Sequence, residues 1–354
     1  MPGKNRGSLR ESASLIIAAP EHSANSVYDF KVLIFKRSEQ TAYLRDHCVF
    51  PGGVFESADE EEEWIEFFLK FGVTLNQIWT LVNKQQGRPH ILSETNSKCP
   101  KDLSLRITAI RETFEEVGLL LCRDKQSIQN SQGYGHFVND NFDKEYWQKL
   151  VHSDPKQFLK LCKHLQVLPD IWNLYEWSIW RSSSSAIKKF DTVFYFVALM
   201  MEPNLMIEKT EVAEFMWQSP NLLLKAFSNR IVWLPYIQFY ELSRLTQLFF
   251  LKELVKFSRD RNKKGSTQLM PVFYKCNDGL TGILPGDDLY PYNPDDYKET
   301  IIVEESLNQF QSKAVRRHRL VFRDIYDMQV NLSIEPIDNH LSPVKIEANT
   351  KSML

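Results

Sequence analysis

Residues 111–118 read Arg-Glu-Thr-Phe-Glu-Glu-Val-Gly, and this segment constrains most strongly what the chain can fold into. Residues three and four apart share one face of a helix, so Glu112, Glu115 and Glu116 would stand side by side. Three like charges this close repel one another, which destabilises a helix unless a cation lies between them. The cluster therefore indicates either a solvated helix face or a metal site.

The opposite face of the same segment explains why it would fold as a helix. Gly118 follows the segment directly, and glycine ends a helix without a steric penalty at Cβ. We therefore expect an anchored helix that turns its acidic face toward solvent or metal. Apolar residues recur on the buried side at spacings of three and four, as in a helix that buries one face: Leu103, Ile107, Ile110, Phe114 and Val117.

A Pro-Gly-Gly turn upstream supplies a second half to this pattern. The sequence Phe50-Pro51-Gly52-Gly53 follows an extended apolar stretch, and its glycines permit backbone conformations that bring a carbonyl toward a metal. Together the two segments resemble the halves of the Nudix box. That box is the metal-binding element of hydrolases that act on nucleoside diphosphates linked to another group.

The spacing between the two halves is unusual for that family. Gly53 is followed, after five residues, by Asp59 where the family usually has a glutamate. Fifty-one residues then separate Asp59 from Arg111, and because the usual number is seven, the box resembles one split by an insertion of 44 residues. One branch with an interrupted box, the peroxisomal coenzyme A diphosphatases, has this layout. We expect the inserted residues to bulge away and leave Gly52 within coordination reach of the three glutamates.

The order of the other segments fits the same family. Strand-like stretches precede the box at Ser14–Ala19 and Phe30–Phe35, another follows at Thr192–Leu199, and Glu211–Trp217 resembles the acidic loop and tryptophan after the last strands. The resemblance implies a Nudix α/β/α sandwich with a central mixed β-sheet, helical insertions and a C-terminal extension.

The domain organisation follows from this reading. Residues 1–11 are polar, and we expect them to be loose. Residues 12–257 would form the Nudix hydrolase domain, with an insertion at about 60–102 and a helical insertion at about 138–180. Residues 258–354 would form the C-terminal extension, joined through a charged linker and built of short strands and turns.

The family resemblance assigns roles to the acidic residues. It implies that Glu112, Glu115 and Glu116 bind metal together with the carbonyl of Gly52, and that Arg111 orients a glutamate of the box. Ligands that are all oxygen, with no His or Cys nearby in sequence, favour Mg²⁺ or Mn²⁺ over zinc.

The remaining acids leave choices open. The stretch 208–214 would supply a further ligand or the general base, with Glu211 preferred and Glu214 the alternative, unless this loop is a solvated acidic turn. Asp59 is one methylene shorter than its family counterpart, so either Glu60 or Glu56 replaces it or its role is reduced.

The expected substrate is a small nucleotide. The resemblance implies hydrolysis of coenzyme A and acyl-coenzyme A to 3′,5′-ADP and (acyl-)phosphopantetheine. The alternatives are another Nudix substrate, such as ADP-ribose, NADH or a capped RNA end, and a Nudix fold that serves as a binding module with little catalysis. Weaker candidate contacts are two basic segments, the cluster Arg316–Arg319 and the pair Lys36-Arg37 after the second strand. Four tryptophans could stack on adenine, although buried aromatics are usually core residues: Trp172, Trp177, Trp180 and Trp233.

Composition excludes other classes of partner. The net charge is −2, whereas a nucleic-acid-binding chain is usually basic overall. No apolar run approaches the roughly 20 residues that cross a bilayer. The five cysteines are scattered and odd in number, which favours reduced thiols over disulfides or zinc.

The last three residues, Ser352-Met353-Leu354, resemble the tripeptide that the peroxisomal import receptor reads. The usual middle residue is basic, and here Lys351 carries a positive charge one position before the tripeptide. We expect a peroxisomal location, with the cytoplasm as the alternative.

Overall fold

The structure is a computed structural model. It describes residues 8–343 except 24, 40–46, 84–86, 94–96, 126, 128–132 and 140–141. In this described part, no helix is long and apolar enough to cross a membrane. All five cysteines are buried and are not joined in disulfides.

The secondary structure alternates between strands and helices along the chain. The helices are α1 (Glu62–Lys70), α2 (Leu75–Trp79), α3 (Lys101–Val117), α4 (Lys144–Ser153), α5 (Gln157–Leu165), α6 (Pro220–Ser228), α7 (Tyr236–Leu245), α8 (Leu251–Asn262) and α9 (Leu307–Ser312). The strands are β1 (Leu9–Pro20), β2 (Phe30–Arg37), β3 (Cys48–Val49), β4 (Gly52–Val54), β5 (Cys122–Arg123), β6 (Leu168–Pro169), β7 (Tyr175–Arg181), β8 (Lys189–Ala198), β9 (Val212–Gln218), β10 (Gln268–Leu269), β11 (Val272–Cys276), β12 (Gly279–Ile283), β13 (Ile301–Ile302), β14 (His318–Phe322) and β15 (Met328–Leu332).

Strand β1 is the centre of a large mixed sheet. It runs parallel to β8 along one side, and β8 in turn pairs antiparallel with β7. Along its other side β1 pairs with β4 near its start and with β2 at its end, so its partner changes midway. Strand β1 starts at Leu9, inside the segment expected to be loose, because Leu9 already pairs with Lys189 of β8.

The alternation of side chains along β1 divides the apolar residues into two cores. Leu15 and Ile17 belong to the core that also contains the apolar side of α3. Ile16 and Ala18 belong to the core that also contains residues of α6, α7 and α8. Since successive side chains of a strand point to opposite faces, helices cover both sides of the sheet. This confirms the expected α/β/α sandwich.

Helix α3 is buried on both of its faces, not only on the apolar one. Glu115 and Glu116 are 7% and 1% exposed, so of the two settings left open for the acidic face, solvent or metal, the structure does not show the solvated one. Gly118 follows in the left-handed conformation with φ +65°, and its amide bonds the Phe114 carbonyl. The helix therefore ends as expected but lies in the interior.

The insertion within the box forms a compact unit against the sandwich. It contains α1 and α2, and Trp64 and Phe68 bury its apolar side in the first core. Arg88 fixes the C-terminal part of the insertion, because its guanidinium bonds Asp102 at the start of α3 and Glu176 on β7. The insertion is therefore anchored to the helix that it interrupts in sequence.

Three segments differ from the expected secondary structure. The helical insertion at about 138–180 includes β7, which is a strand of the central sheet. Val212–Gln218 is a strand paired with β2, not a loop. Helix α8 continues through most of the expected charged linker, because Arg261 is buried against the Glu176 carbonyl and Ser266.

The C-terminal region adds a second sheet, with strand order β13-β11-β12-β14-β15. Leu284, Leu320 and Val330 join the second core of the sandwich. His318 also bridges the two parts, because its Nε2 lies 2.8 Å from the Tyr240 hydroxyl. The extension is thus packed onto the sandwich.

Candidate active site

The two halves of the split box meet in space. The amide of Gly52 donates a 2.8 Å hydrogen bond to Oε2 of Glu116, and Gly53 lies against the Glu112 carboxylate. Among the described residues, none between 57 and 110 lines the cavity at this point. The expectation that the insertion bulges away from the site is therefore confirmed.

Both glycines are needed for this approach. Gly52 has φ +145°, and a Cβ there would lie 2.4 Å from the Ala13 carbonyl oxygen and 2.5 Å from Cα of Ser14. A Cβ on Gly53 would lie 2.2 Å from Oε2 of Glu112. At Gly52 a side chain would meet the backbone of β1, whereas at Gly53 it would displace the Glu112 carboxylate.

Arg111 organises the acidic cluster and has no donor left over. Its Nε and Nη2 bond the two oxygens of Asp59, and Nη2 also bonds the Val54 carbonyl. Its Nη1 bonds Glu112 at 2.9 Å and Glu115 at 2.6 Å. A guanidinium has five N–H donors, so Arg111 is saturated. This geometry is consistent with the expected role of Arg111, since its Nη1 bonds two glutamates of the box.

Asp59 is the acid that pairs with Arg111, so the shorter side chain keeps a structural role. It is 1% exposed and also accepts hydrogen bonds from the Thr108 hydroxyl and the Glu56 amide. The turn before α1 is thus capped by Glu56 and Asp59. Glu60 instead forms a longer ion pair with Lys101.

The cluster opens into a cavity of about 680 Å³. Gly52, Ser14 and Phe194 are cross-strand partners on β4, β1 and β8, and all three line it. Neighbouring strands lie roughly 4.8 Å apart, so the cavity extends about 10 Å from the acidic cluster to β8. Phe190 and Phe194 make its surface aromatic at β8, and the ring of Phe50 lies 6.4 Å from that of Phe194; Trp233 and Tyr236 also line the cavity.

The crowding of carboxylates changes their acidity. Burial raises the pKa of Glu112 to about 8, although the Arg111 guanidinium acts in the opposite direction. Burial also raises the pKa of Glu116 well above its ordinary value, and the charge of Glu112 adds to the effect. Carboxyl groups in this setting keep their protons unless a cation offsets their charge.

The loop before β9 brings Glu211 to the cavity. The Glu208 amide bonds the Glu116 carbonyl, which ties the loop to the end of α3, and the Glu208 carboxylate accepts the Glu211 amide. Glu211 lines the cavity, whereas Glu214 is exposed on β9 and does not. Between the two acids left open by the sequence, the geometry favours Glu211.

His152 is a cavity residue that the sequence did not indicate. It lies on α4 with Nδ1 3.6 Å from Oε2 of Glu115, and its contact with Glu115 raises its pKa to about 9. Gln148, one helical turn earlier, holds α4 in place by bonding the Glu115 and Met206 carbonyls. No local signal marks His152, because its position depends on how α4 packs against α3.

The two basic segments considered as substrate contacts, at 36–37 and at 316–319, differ in whether they reach the cavity. Arg37, at the end of β2, lines the cavity with Nη1 3.8 Å from Oε1 of Glu116. The basic cluster at 316–319 is not available as a whole, because Arg319 is fully buried in a bidentate pair with Asp287 and His318 bonds the Pro285 carbonyl. The second half of that cluster is therefore structural.

Among the tryptophans that could stack on a base, Trp233 lines the cavity, and His47 stacks on it at 3.8 Å. Trp177 and Trp180 are core residues whose indole N–H groups both bond Glu241. Trp172 packs at the edge of the first core.

Comparison with known proteins decides the family. The family model for the NUDT19 Nudix domain matches residues 9–245, and the model for the NUDT19 C-terminal domain matches residues 273–333. The chain belongs to the NUDT19 family of Nudix hydrolases.

Curated relatives resemble this Nudix hydrolase over nearly their whole length. A Xenopus laevis protein named acyl-coenzyme A diphosphatase NUDT19 is 35% identical over 98% of this chain and 98% of its own. A Homo sapiens protein of the same name is 29% identical over 97% of this chain and 96% of its own. Among solved structures, a crystal structure of a Nudix hydrolase from Alicyclobacillus acidocaldarius superposes with a TM-score of 0.52, at 19% identity. It covers 70% of this chain and 96% of its own, which supports the Nudix fold.

Nudix hydrolases generally use divalent metals, and the residues here fit that requirement as a set of donors. Among the described residues no three His, Cys, Asp or Glu side chains already enclose a metal position. However, Arg111 uses one oxygen each of Glu112 and Glu115, and Gly52 uses one of Glu116, so each glutamate keeps its second oxygen outside these bonds. Oxygen donors next to a glycine cradle suit a hard divalent cation.

Proposed function

We propose that this Nudix hydrolase cleaves the diphosphate bond of coenzyme A and acyl-coenzyme A esters. The products would be 3′,5′-ADP and 4′-phosphopantetheine or its acylated form. Relatives named acyl-coenzyme A diphosphatase that align over 96–98% of their lengths support the proposal. The structural observation that carries it is a single cavity with an acidic end and an aromatic end.

The two ends of the cavity match the two chemistries of such a substrate. Coenzyme A has a diphosphate that needs cationic compensation and an uncharged pantetheine arm that benefits from apolar surface. Gly52 marks the acidic end, and Phe194 lies about 10 Å away on the aromatic wall. Trp233 and Tyr236 extend that wall.

We propose that Glu112, Glu115, Glu116 and the carbonyl of Gly52 hold Mg²⁺ or Mn²⁺. When bound, a divalent cation offsets the charge of the diphosphate and acidifies water. The protein orients these donors in advance, because the Gly52 amide holds Glu116 and Arg111 holds the other two glutamates. Orientation of this kind removes much of the reorganisation that the reaction would otherwise require.

We propose Glu211 as the base for the attacking water. A water oxygen forms a bond to one phosphorus, the bridging P–O bond breaks, and the proton of the water passes to a carboxylate. Glu211 lines the cavity, and its charge acts on Glu116. Its backbone carbonyl accepts the Ser38 amide, which fixes the position of the loop.

A product panel tests the proposed reaction. Purified protein with Mg²⁺ or Mn²⁺ is incubated separately with coenzyme A, an acyl-coenzyme A, ADP-ribose, NADH and a capped RNA, and the products are separated by chromatography. We expect 3′,5′-ADP from the first two substrates, and loss of product when the metal is chelated. Efficient cleavage of another substrate, with coenzyme A left intact, would overturn the proposal.

A charge-removing variant tests the metal site. Glu116→Gln should lower kcat by at least about 100-fold, because it removes a charged donor while keeping shape. The exposed Glu253→Gln on α8 is the matched control and should behave as the unmodified protein. Full activity of Glu116→Gln would contradict the assignment.

We also propose a peroxisomal location, on the resemblance of Ser352-Met353-Leu354 to the import tripeptide. These residues lie outside the described part of the structure. A fluorescent fusion with a free C-terminus should colocalise with peroxisomes, and deletion of the tripeptide should move it to the cytosol. An unchanged distribution after the deletion would refute the address.

A further inference from the structure

Three basic side chains line the cavity in the described part of the structure: Arg37, Arg111 and His152. A diphosphate brings further negative charge to a site that already holds several carboxylates. A cationic side chain that faces the substrate would add to the compensation that a bound divalent cation provides. The three candidates differ in how many of their donors are already in use.

Arg111 and His152 are both committed to the acidic cluster. All five N–H donors of Arg111 are bonded to protein acceptors, and the group is 1% exposed. His152 directs Nδ1 toward Glu115. Arg111 cannot bond a phosphate without giving up contacts that hold the glutamates, and His152 is paired in charge with Glu115.

The guanidinium of Arg37 differs from that of Arg111, because not all of its donors are hydrogen-bonded to the protein. Its Nε is buried and has no hydrogen-bond partner within the described residues. Its Nη1 lies 3.8 Å from Oε1 of Glu116, which is beyond hydrogen-bond distance. Other arginines share an unbonded Nε, but among them Arg37 is the one that lines the cavity in the described part of the structure, so its guanidinium is placed to bond a ligand there.

The backbone holds this side chain in place. The Arg37 amide bonds the His47 carbonyl, and β2 pairs there with both β3 and β9. The pairing with β9 shifts at this point, since Lys36 faces Glu214 while Arg37 faces Val212. Irregularities of this kind recur beside active sites, where they redirect a side chain.

We infer that Arg37 binds the diphosphate group of the substrate and sets its position against the glutamates. A planar guanidinium can donate two parallel hydrogen bonds to phosphate oxygens, so it orients the group as well as attracting it. This inference rests on the proposed function, because it assumes a diphosphate substrate.

The variants Arg37→Gln and Arg37→Lys test this role. Arg37→Gln should lower kcat/KM by about 10- to 100-fold, as expected when a charge-assisted hydrogen bond is lost. Arg37→Lys should recover only part of the loss, because it restores the charge but not the two-pronged geometry. The control is Lys31→Gln on the same strand, whose side chain pairs with Glu202 outside the cavity, and it should leave kcat/KM unchanged.

Two further measurements separate substrate binding from a merely structural role. In Arg37→Gln, kcat/KM should fall by the same factor on coenzyme A and on dephospho-coenzyme A, because both contain the diphosphate. A fall confined to coenzyme A would place Arg37 at the 3′-phosphate and overturn the inference. Mn²⁺ affinity is measured in the absence of substrate. A change there with kcat/KM unaltered would show that Arg37 serves Glu116 only, which would also overturn it.

The role of Arg37 can be tested even if coenzyme A is not the substrate. If the product panel identifies a different nucleoside diphosphate derivative as substrate, the same variants are assayed on that compound. An equal loss there would support Arg37 as the diphosphate ligand while the coenzyme A proposal fails. Unchanged kcat/KM on the true substrate refutes Arg37 whichever compound that is.

Discussion

Substitution of Gly53 by alanine should remove activity without unfolding the protein. The new Cβ would lie 2.2 Å from Oε2 and 2.4 Å from Cδ of Glu112, whereas ordinary contact begins at 3.4 Å. The carboxylate therefore has to move by a little over 1 Å. Misplacement of a reacting group by about 1 Å can cost roughly 100-fold in rate, and we expect a loss of that size in kcat/KM.

The effect on stability should be small, because the obstruction is the end of a flexible side chain. A rotamer change in Glu112 costs about 0.5–1.5 kcal/mol. Gly52→Ala is the informative comparison, since its Cβ would meet backbone atoms of Ala13 and Ser14 at φ +145°. Backbone strain of about 1–3 kcal/mol and overpacking of about 1–3 kcal/mol should then add.

The assay pairs urea unfolding with steady-state kinetics on coenzyme A and with Mn²⁺ binding. Gly53→Ala should unfold near the midpoint of the unmodified protein and lose both activity and Mn²⁺ affinity, whereas Gly52→Ala should unfold at clearly lower urea. Normal kinetics and Mn²⁺ affinity for Gly53→Ala would refute the claim that the position of the Glu112 carboxylate matters. Normal stability for Gly52→Ala would refute the close approach of β4 to β1.

Two further predictions concern buried charge and pH. Asp59→Asn should destabilise the fold by about 1.5–3 kcal/mol in urea unfolding, because it removes one of the three carboxylates that pair with the buried Arg111, whereas Glu60→Gln should cost less than about 1 kcal/mol; equal effects would contradict the pairing. Burial lowers the pKa of His318 to about 4, so below pH 6.5 the unfolded chain binds a proton that the folded protein does not. The contribution of His318 to the unfolding free energy should therefore fall by about 3 kcal/mol from pH 6.5 to pH 4. The unfolding free energy of His318→Gln, measured over the same pH range, should lack this fall. Equal pH dependence of the two proteins would contradict the prediction.

The elements that could be predicted from the sequence are those with strong apolar periodicity. Strands β1, β2 and β8 and helix α3 were all expected near their observed positions, because each buries apolar residues at the spacing of its secondary structure. Strand β9 was missed. Among the described residues it pairs only with β2, and it is exposed along much of its length, so it shows no apolar alternation.

Polar side chains inside the fold account for other differences. Helix α8 extends through a charged stretch that resembled a linker, because Arg261 finds buried acceptors in the Glu176 carbonyl and Ser266. Arg319 and His318 resembled a phosphate-binding cluster but pair with Asp287 and Tyr240. A sequence displays these charges, yet the acceptors that neutralise them lie far away along the chain.

The sequence by itself determined the set of oxygen donors: the spacing of Glu112, Glu115 and Glu116 places them on one helical face whatever surrounds the helix. Only the tertiary structure decided how each charge is compensated. Packing of the insertion brought Asp59 to Arg111 and saturated that guanidinium, while the shift in strand pairing left Arg37 open to the cavity. The physical reason is distance along the chain: a helical face is set by neighbours three and four residues away, whereas the partner of a buried charge is set by the whole fold.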